Sequence, residues 1–207
     1  MRYKAVIYDC DGVMFDSFEA NLAFYQRIMG MMGRKPLERS DEEQMRILHT
    51  YANREVLEHF FPVPGDLAEA LRCAASIDYR DLVPLMVMEH GFRETLDVLR
   101  GHVELAVCTN RSTSMDTVLE SFDLTAYFSL VMTAAKVNNP KPHPEPLLKV
   151  LEHFGIEPGE ALFVGDSAVD SMSAEAAGVP FVAYKADHLP ALARIDHHGS
   201  VLDLLRP

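Results

Sequence analysis

The fold is decided by the stretch VIYDCDGV at residues 6–13, where a short apolar run meets two acidic residues and a glycine. The run from residue 3 to residue 8 lacks the strict alternation of a half-exposed strand, which predicts a strand buried on both faces. Asp9, Asp11 and Gly12 follow at once and predict a tight turn at the carboxyl end of that strand.

Strand-like and helical segments alternate after residue 83, with short connections between them. Strands are predicted at residues 103–109, 128–133, 161–165 and 180–184, and helices at residues 92–99, 112–122, 145–154 and 168–177. Two of these helices are expected to end at glycines, Gly155 and Gly178. This alternation is typical of a parallel sheet with helices on both faces.

The stretch before residue 83 has a different pattern, because its segments are helical or loop-like. Ser17 is predicted to cap a helix that ends near Met32. A second helix is expected after the polar residues 34–43, and another over residues 66–81.

We therefore predict an α/β protein with two parts. A doubly wound, Rossmann-like parallel sheet comprises residues 1–15 and 83–207. Residues 16–82 form an all-helical cap domain inserted after the first strand.

The chain is acidic, with 31 Asp and Glu against 19 Lys and Arg and a formal net charge of −12. Such a chain lacks the positive field that polyanion binding needs, so we expect neither nucleic acid nor a membrane surface as a partner. A small phosphorylated metabolite is compatible with this charge, because a local cation or metal can override it.

The three cysteines, Cys10, Cys73 and Cys108, fit neither a zinc site nor a disulfide framework and are expected to be buried thiols. We find no signal-peptide pattern and no apolar stretch near the roughly 18 residues of a membrane span. A cytoplasmic location is expected, and the oligomeric state, monomer or dimer, stays open.

Polar residues follow four of the predicted strands. Because ligands bind at the carboxyl ends of strands in an open α/β sheet, these residues are expected to meet in one crevice. They are Asp9 and Asp11 after the first strand, Thr109, Asn110 and Arg111 after the second, Lys141 after the third, and Asp166, Ser167 and Asp170 after the fourth.

Carboxylates crowded into one crevice repel each other unless a cation is present, and oxygen ligands favour Mg²⁺. Asp9 in that setting is predicted to attack phosphorus and form an aspartyl-phosphate. Asp11 is placed to protonate the leaving oxygen and then to deprotonate the attacking water. Thr109 and Lys141 are predicted to hold the phosphoryl group.

These residues resemble the four motifs of the haloacid dehalogenase-like superfamily over nearly the whole chain. Asp9-Cys10-Asp11-Gly12 matches the first motif and Thr109-Asn110 ends the strand of the second. Lys141 matches the third, and Gly165-Asp166-Ser167 with Asp170 matches the fourth. The inserted helices resemble the phosphoglycolate phosphatase and β-phosphoglucomutase branch, in which a helical cap closes over the site.

The resemblance implies a role for each matched residue. Asp9 would be nucleophile and metal ligand, and Asp11 would be general acid/base with its backbone carbonyl on the metal. Asp166 would bind the metal directly, and Asp170 directly or through water. Thr109, Asn110 and Lys141 would bind the transferring phosphoryl group.

The main prediction is a phosphatase for a small phosphate monoester such as phosphoglycolate or a sugar phosphate. One alternative is a phosphomutase, and another is a catalytically weak binding or regulatory protein on the same scaffold. In the cap, Arg54 is expected either to bind a distal phosphate or carboxylate or to be solvated and salt-bridged. His197 and His198 are expected to be exposed.

Overall fold

Eight strands and nine α-helices are found in residues 3–206, the part of the chain that the computed structural model describes. The strands are β1 (Ala5–Tyr8), β2 (Phe15–Asp16), β3 (Val87–Met88), β4 (Glu104–Thr109), β5 (Leu130–Thr133), β6 (Ala161–Gly165), β7 (Phe181–Tyr184) and β8 (Ala193–Ile195). The helices are α1 (Phe18–Met31), α2 (Glu42–Thr50), α3 (Asn53–Phe60), α4 (Pro64–Ser76), α5 (Phe92–Leu99), α6 (Met115–Ser121), α7 (Glu145–Phe154), α8 (Ala168–Ala177) and α9 (Val201–Leu204).

Six of the strands form one parallel sheet in the order β5-β4-β1-β6-β7-β8. Strand β1 lies in the centre, where Ala5 is paired with Glu104 of β4 on one side and Ala161 of β6 on the other. The chain runs from β1 outward in one direction and then returns to extend the other half, so the predicted doubly wound α/β fold is confirmed. The carboxyl ends of β4, β1 and β6 are therefore neighbours.

Both faces of the sheet are covered, which explains the unbroken apolar run of the first strand. Val6 and Tyr8 pack into one hydrophobic cluster, while Ala5 and Ile7 pack into another on the opposite face. All four side chains are fully buried. The three cysteines are also buried and free, as expected.

Helices α1–α4 lie between β2 and β3 and have a hydrophobic cluster of their own, which includes Ile28, Val56, Leu57 and Phe61. Strands β2 and β3 pair antiparallel at the point where the chain leaves the sheet and returns to it. The domain boundaries at residues 16 and 82 stay a prediction. Within the described residues, no helix is long and apolar enough to cross a membrane.

The inserted region departs from the predicted elements in three places. The single helix expected after residues 34–43 is two helices, α2 and α3. The helix expected over residues 66–81 is α4, which begins earlier because Pro64 takes the first helical position, where a missing N–H costs nothing. It ends at Ser76, and a separate 3₁₀ turn follows at Tyr79–Asp81. Residue Ser17 does precede α1, but its hydroxyl donates to Asp11 instead of capping the helix.

The C-terminal part of the chain was not predicted correctly. Strand β8 has three residues and pairs with β7, so it is too short for periodicity to reveal. His198 is fully buried, not exposed. Its ring stacks on Tyr184 at a centroid distance of 4.4 Å, and its Nε2 donates to the Val13 carbonyl at 2.8 Å.

Candidate active site

Three carboxylates meet at the carboxyl edge of the sheet. Asp9 follows β1, Asp166 follows β6, and Asp170 lies in the first turn of α8. One oxygen of each lies within 4.8 Å of the others. The structure thus brings together the side chains of three of the four residues that were predicted as metal ligands. For the fourth, Asp11, the predicted ligand is its backbone carbonyl.

Two glycines allow this close approach. Gly12 has φ +73°, and a Cβ at this position would lie 1.9 Å from Asp166 Oδ2. A Cβ on Gly165 would lie 2.6 Å from the Asp170 Cβ. Any larger residue at either position would push an acidic side chain out of the cluster, so the glycines of the first and fourth motifs have a steric role.

Lys141 is buried among these carboxylates. Its Nζ lies 2.6 Å from Asp170 Oδ1, 2.9 Å from Asp9 Oδ1 and 3.0 Å from the Cys108 carbonyl oxygen. Burial alone would lower the pKa of Lys141, but the charges of Asp170 and Asp9 outweigh it and raise the pKa. The lysine is therefore a permanent cation at the base of the site.

The acidic cluster fits a divalent cation. Asp9 Oδ1 accepts no hydrogen bond with good geometry from the described residues, although the Lys141 ammonium lies beside it. The pKa of Asp9 is raised to about 7, because burial and the charges of Asp170 and Asp11 raise it by more than Lys141 lowers it. Burial and the charges of Asp170 and Asp9 also raise the pKa of Asp166. Two buried carboxylates and the half-buried Asp166 against one lysine leave an excess of negative charge and an all-oxygen donor set, which suits Mg²⁺.

The loops after β4 and β5 are joined by Asn110. Its Nδ2 donates to the Lys141 carbonyl at 2.9 Å, and its Oδ1 accepts from the Lys141 N–H at 3.0 Å. Its side chain thus positions the lysine, and its predicted part in phosphoryl binding stays a prediction. Thr109 is buried at the end of β4, where its Oγ1 accepts from the Arg111 N–H at 3.1 Å.

Asp170 has both carboxylate oxygens occupied. Oδ1 binds Lys141, and Oδ2 accepts from the backbone N–H and the hydroxyl of Ser167, which caps α8. Asp170 therefore holds Lys141 with one carboxylate oxygen and joins the N-terminal cap of α8 with the other. This arrangement favours the prediction that Asp170 supports a metal through water over the prediction that it binds the metal directly.

Asp11 is held by a residue to which the sequence analysis gave no role. Arg111 donates from Nε to Asp11 Oδ2 at 2.8 Å and from Nη2 to Oδ1 at 2.5 Å. Ser17 and Asn21 also donate to Oδ1. Burial raises the pKa of Asp11, but the Arg111 charge and these hydrogen bonds outweigh it, and the net pKa is lowered. The signal that pointed to Arg111 was its position at the strand end directly after Thr109 and Asn110.

A cavity of about 410 Å³ opens between this edge of the sheet and the inserted helices. Asp9 and Lys141 line it from the sheet, and His49 and Asn53 line it from the helices. His49 Nε2 and Asn53 Oδ1 are buried without a hydrogen-bond partner among the described residues. The sequence analysis gave neither residue a role of its own, because neither stands at a strand end.

Arg54 does not line the cavity. It is exposed and forms an i,i+4 ion pair with Glu58 at 2.8 Å. Of the two alternatives that the sequence left open for Arg54, the solvated, salt-bridged one is confirmed.

Known proteins resemble this chain along most of its length. It is 33% identical to the phosphoglycolate phosphatase of Escherichia coli strain K12 over 180 residues, which are 85% of this chain and 60% of that protein. The chain thus spans about three fifths of that curated relative. A crystal structure of a HAD-superfamily hydrolase, subfamily IA, variant 1, from Geobacter sulfurreducens is 76% identical, with a TM-score of 0.79 over 99% of this chain and 97% of that one.

The fold recurs in more distant proteins. A putative phosphoglycolate phosphatase from Lactobacillus plantarum has a TM-score of 0.86 over 99% of this chain and 100% of that one, at 22% identity. The sequence family described as haloacid dehalogenase-like hydrolase matches residues 6–184, from the start of the first motif to the end of β7. The chain belongs to the haloacid dehalogenase-like hydrolase family.

Proposed function

We propose that this protein is a Mg²⁺-dependent phosphatase that hydrolyses a small phosphate monoester through an aspartyl-phosphate on Asp9. The contact between Asp9 and Lys141 carries this proposal: Nζ lies 2.9 Å from Oδ1 at the floor of the cavity. A carboxylate beside a permanent cation is placed to attack a phosphoryl group that the same cation neutralises.

The reaction has two steps. Asp9 attacks phosphorus, the bond to the ester oxygen breaks, and Asp11 gives that oxygen a proton. Asp11 takes up this proton from water once it has left Arg111, whose charge lowers its pKa. Water then attacks phosphorus in the aspartyl-phosphate while Asp11 takes its proton, and inorganic phosphate leaves with Asp9 restored. Lys141 and the hydroxyl of Thr109 bind the phosphoryl oxygens in both steps, while Asp170 and Asn110 keep Lys141 in place.

Mg²⁺ would be held by Asp9, Asp166 and the Asp11 carbonyl, with Asp170 in support. When bound, the ion offsets the repulsion between the Asp9 carboxylate and the phosphoryl oxygens. Two observations support this assignment: the three carboxylates are neighbours, and the pKa values of Asp9 and Asp166 are raised. Both are expected where Lys141 alone does not offset the negative charge of the cluster.

A small metabolite phosphate suits the cavity. Its volume of about 410 Å³ is at the low end of typical ligand pockets. Phosphoglycolate is the substrate in the names of the curated relatives and is the first compound to test. In this proposal residues 16–82 are the cap, and His49 and Asn53 offer polar atoms to the leaving group.

The phosphomutase alternative has weaker support. A mutase needs a binding site for a second phosphate on its sugar, and Arg54 was the cap residue that offered one. Arg54 is exposed and paired with Glu58, so the cap brings no cation of that kind into the cavity from this position.

The test is a screen of metabolite phosphates by release of inorganic phosphate, with and without EDTA. The Asp9→Asn variant is compared with Asp203→Asn, the same change at an exposed position far along the chain. We expect Mg²⁺-dependent turnover in wild type and Asp203→Asn and a loss of at least about 1,000-fold in Asp9→Asn. Equal turnover in wild type and Asp9→Asn would refute the proposed nucleophile, and isomer formation without phosphate release would favour the mutase.

A further inference from the structure

Arg111 holds Asp11 with the two-pronged geometry that a guanidinium uses for any carboxylate. Nε and Nη2 each donate to a different oxygen of Asp11, at 2.8 and 2.5 Å. With Ser17 and Asn21 added, the Asp11 carboxylate accepts four hydrogen bonds. Three of these bonds fall on Oδ1 and one on Oδ2, so the Asp11 carboxylate is fixed against Arg111 and must leave these partners to reach a leaving group or a water.

Arg111 also connects the sheet to the inserted helices. Its Nη2 donates to Asn21 Oδ1 on α1 at 3.2 Å, and its Cζ lies 5.0 Å from the centre of the Tyr79 ring. On the sheet side, Nη1 donates to Ser114 at 3.2 Å. The side chain is 6% exposed and lines the cavity, so the guanidinium is fixed in place with an edge on the cavity.

The cavity therefore carries two cationic side chains among the described residues that line it, Lys141 and Arg111. Lys141 is bound to Asp9 and Asp170 at the place where the phosphoryl group would react. Arg111 is bound to Asp11, the proposed acid/base. A ligand with one anionic group at each end would match both cations.

We propose that Arg111 is a positioning residue. It binds Asp11 until a carboxylate on the leaving group replaces Asp11 on the guanidinium, and Asp11 is then free to act. This inference rests on the proposed function. The exchange keeps the buried guanidinium paired with a carboxylate at every stage. A neutral leaving group cannot make the exchange, because the departure of Asp11 would leave Arg111 buried and unpaired. The structure thus assigns the substrate to phosphate monoesters that carry a carboxylate near the ester oxygen.

The experiment compares two substrates of similar size in the full-length enzyme with Mg²⁺. Phosphoglycolate carries a carboxylate, and 2-hydroxyethyl phosphate carries a neutral hydroxyl in its place. We expect wild type to prefer phosphoglycolate about 100-fold or more in kcat/KM. The preference should fall below about threefold in Arg111→Gln and stay intermediate in Arg111→Lys, which keeps the charge without the fork. Arg46→Gln, an exposed arginine of α2, should keep the wild-type preference.

A second measurement separates the exchange from a structural role in the wild-type enzyme itself. Free acetate should raise the wild-type turnover of 2-hydroxyethyl phosphate severalfold and saturably, because it takes the place of Asp11 on Arg111. Acetamide, which has the same shape without the charge, should have no effect. Acetate should also have no effect on Arg111→Gln.

The outcomes separate the two proposals. If wild type hydrolyses p-nitrophenyl phosphate through Asp9 but shows no preference for phosphoglycolate and no response to acetate, the exchange is wrong and the phosphatase stands. If Arg111→Gln keeps the wild-type preference, the exchange is also wrong. If wild type hydrolyses no phosphate ester above Asp9→Asn, the proposed function fails and the exchange fails with it.

Discussion

His198 should make the stability of the protein fall as the solution is acidified. The pKa of His198 is lowered to about 4, chiefly by burial; His197 and Lys185 also lower it, while the Val13 carbonyl and the Glu89 charge act in the opposite direction. In the unfolded chain a histidine has a pKa of about 6.5. As the pH falls, the unfolded state therefore binds a proton before the folded state does. The contribution of His198 to the free energy of unfolding is present above pH 6.5 and is lost as the pH falls towards 4.

The size of the effect follows from the two pKa values. Between pH 7.5 and pH 5, protonation of the unfolded state alone should cost about 2 kcal/mol of the free energy of unfolding, and a little over 3 kcal/mol when the pH is well below 4. The loss comes from the cost of placing a charge between Tyr184 and Phe92, whose ring centroids lie 4.4 and 4.8 Å from that of His198.

The assay is urea unfolding followed by circular dichroism at several pH values from 7.5 to 5. His198→Gln keeps an N–H donor for Val13 but does not titrate, so the difference between wild type and this variant isolates the histidine from the carboxylates of the active site. His102→Gln, an exposed position, is the matched control and should follow wild type. If wild type and His198→Gln lose stability in parallel over this range, the reasoning is refuted.

Three further predictions concern the active site and the inserted helices. Gly12→Ala places a Cβ 1.9 Å from Asp166 Oδ2, so phosphatase assays should show turnover reduced by about 100-fold or more; retention of a tenth of the wild-type rate would contradict the steric role. Lys141→Met removes the cation buried beside Asp9 and should lower the free energy of unfolding in EDTA by about 3 to 5 kcal/mol, whereas the exposed Lys35→Met should change it by less than about 0.5 kcal/mol. Arg54→Gln should leave turnover within about twofold of wild type, and a larger fall in kcat/KM would indicate that Arg54 takes part in substrate binding.

The sheet and most of its helices could be predicted from the sequence because each has a strong local pattern. Helices α5, α7 and α8 begin and end at the predicted residues, and β6 does so too. The errors lie where a pattern is short or where one residue changes the start of an element, as in β8 and at Pro64. Three paired residues in a strand are too few for periodicity to register.

The candidate site was predictable in part for a physical reason of the fold. Parallel strands end at the same edge, so Asp9 and Asp166 had to approach each other once their strands were assigned as neighbours. Their catalytic and metal-binding roles stay predictions. The side-chain pairings could not be predicted, because they depend on distances between residues far apart in the chain. Arg111 and Asp11 are 100 positions apart, and Asn110 and Lys141 are 31.

By itself the sequence determined the α/β class, the inserted helices and the group of polar residues at the strand ends, because these follow from periodicity and from the geometry of a parallel sheet. Only the tertiary structure decided which partners those polar residues have. It placed Arg111 on Asp11, turned Arg54 to solvent and buried His198 against the loop that follows Asp9. Each of these outcomes depends on how tightly separate segments pack, and close packing is a property of the folded chain that local sequence does not carry.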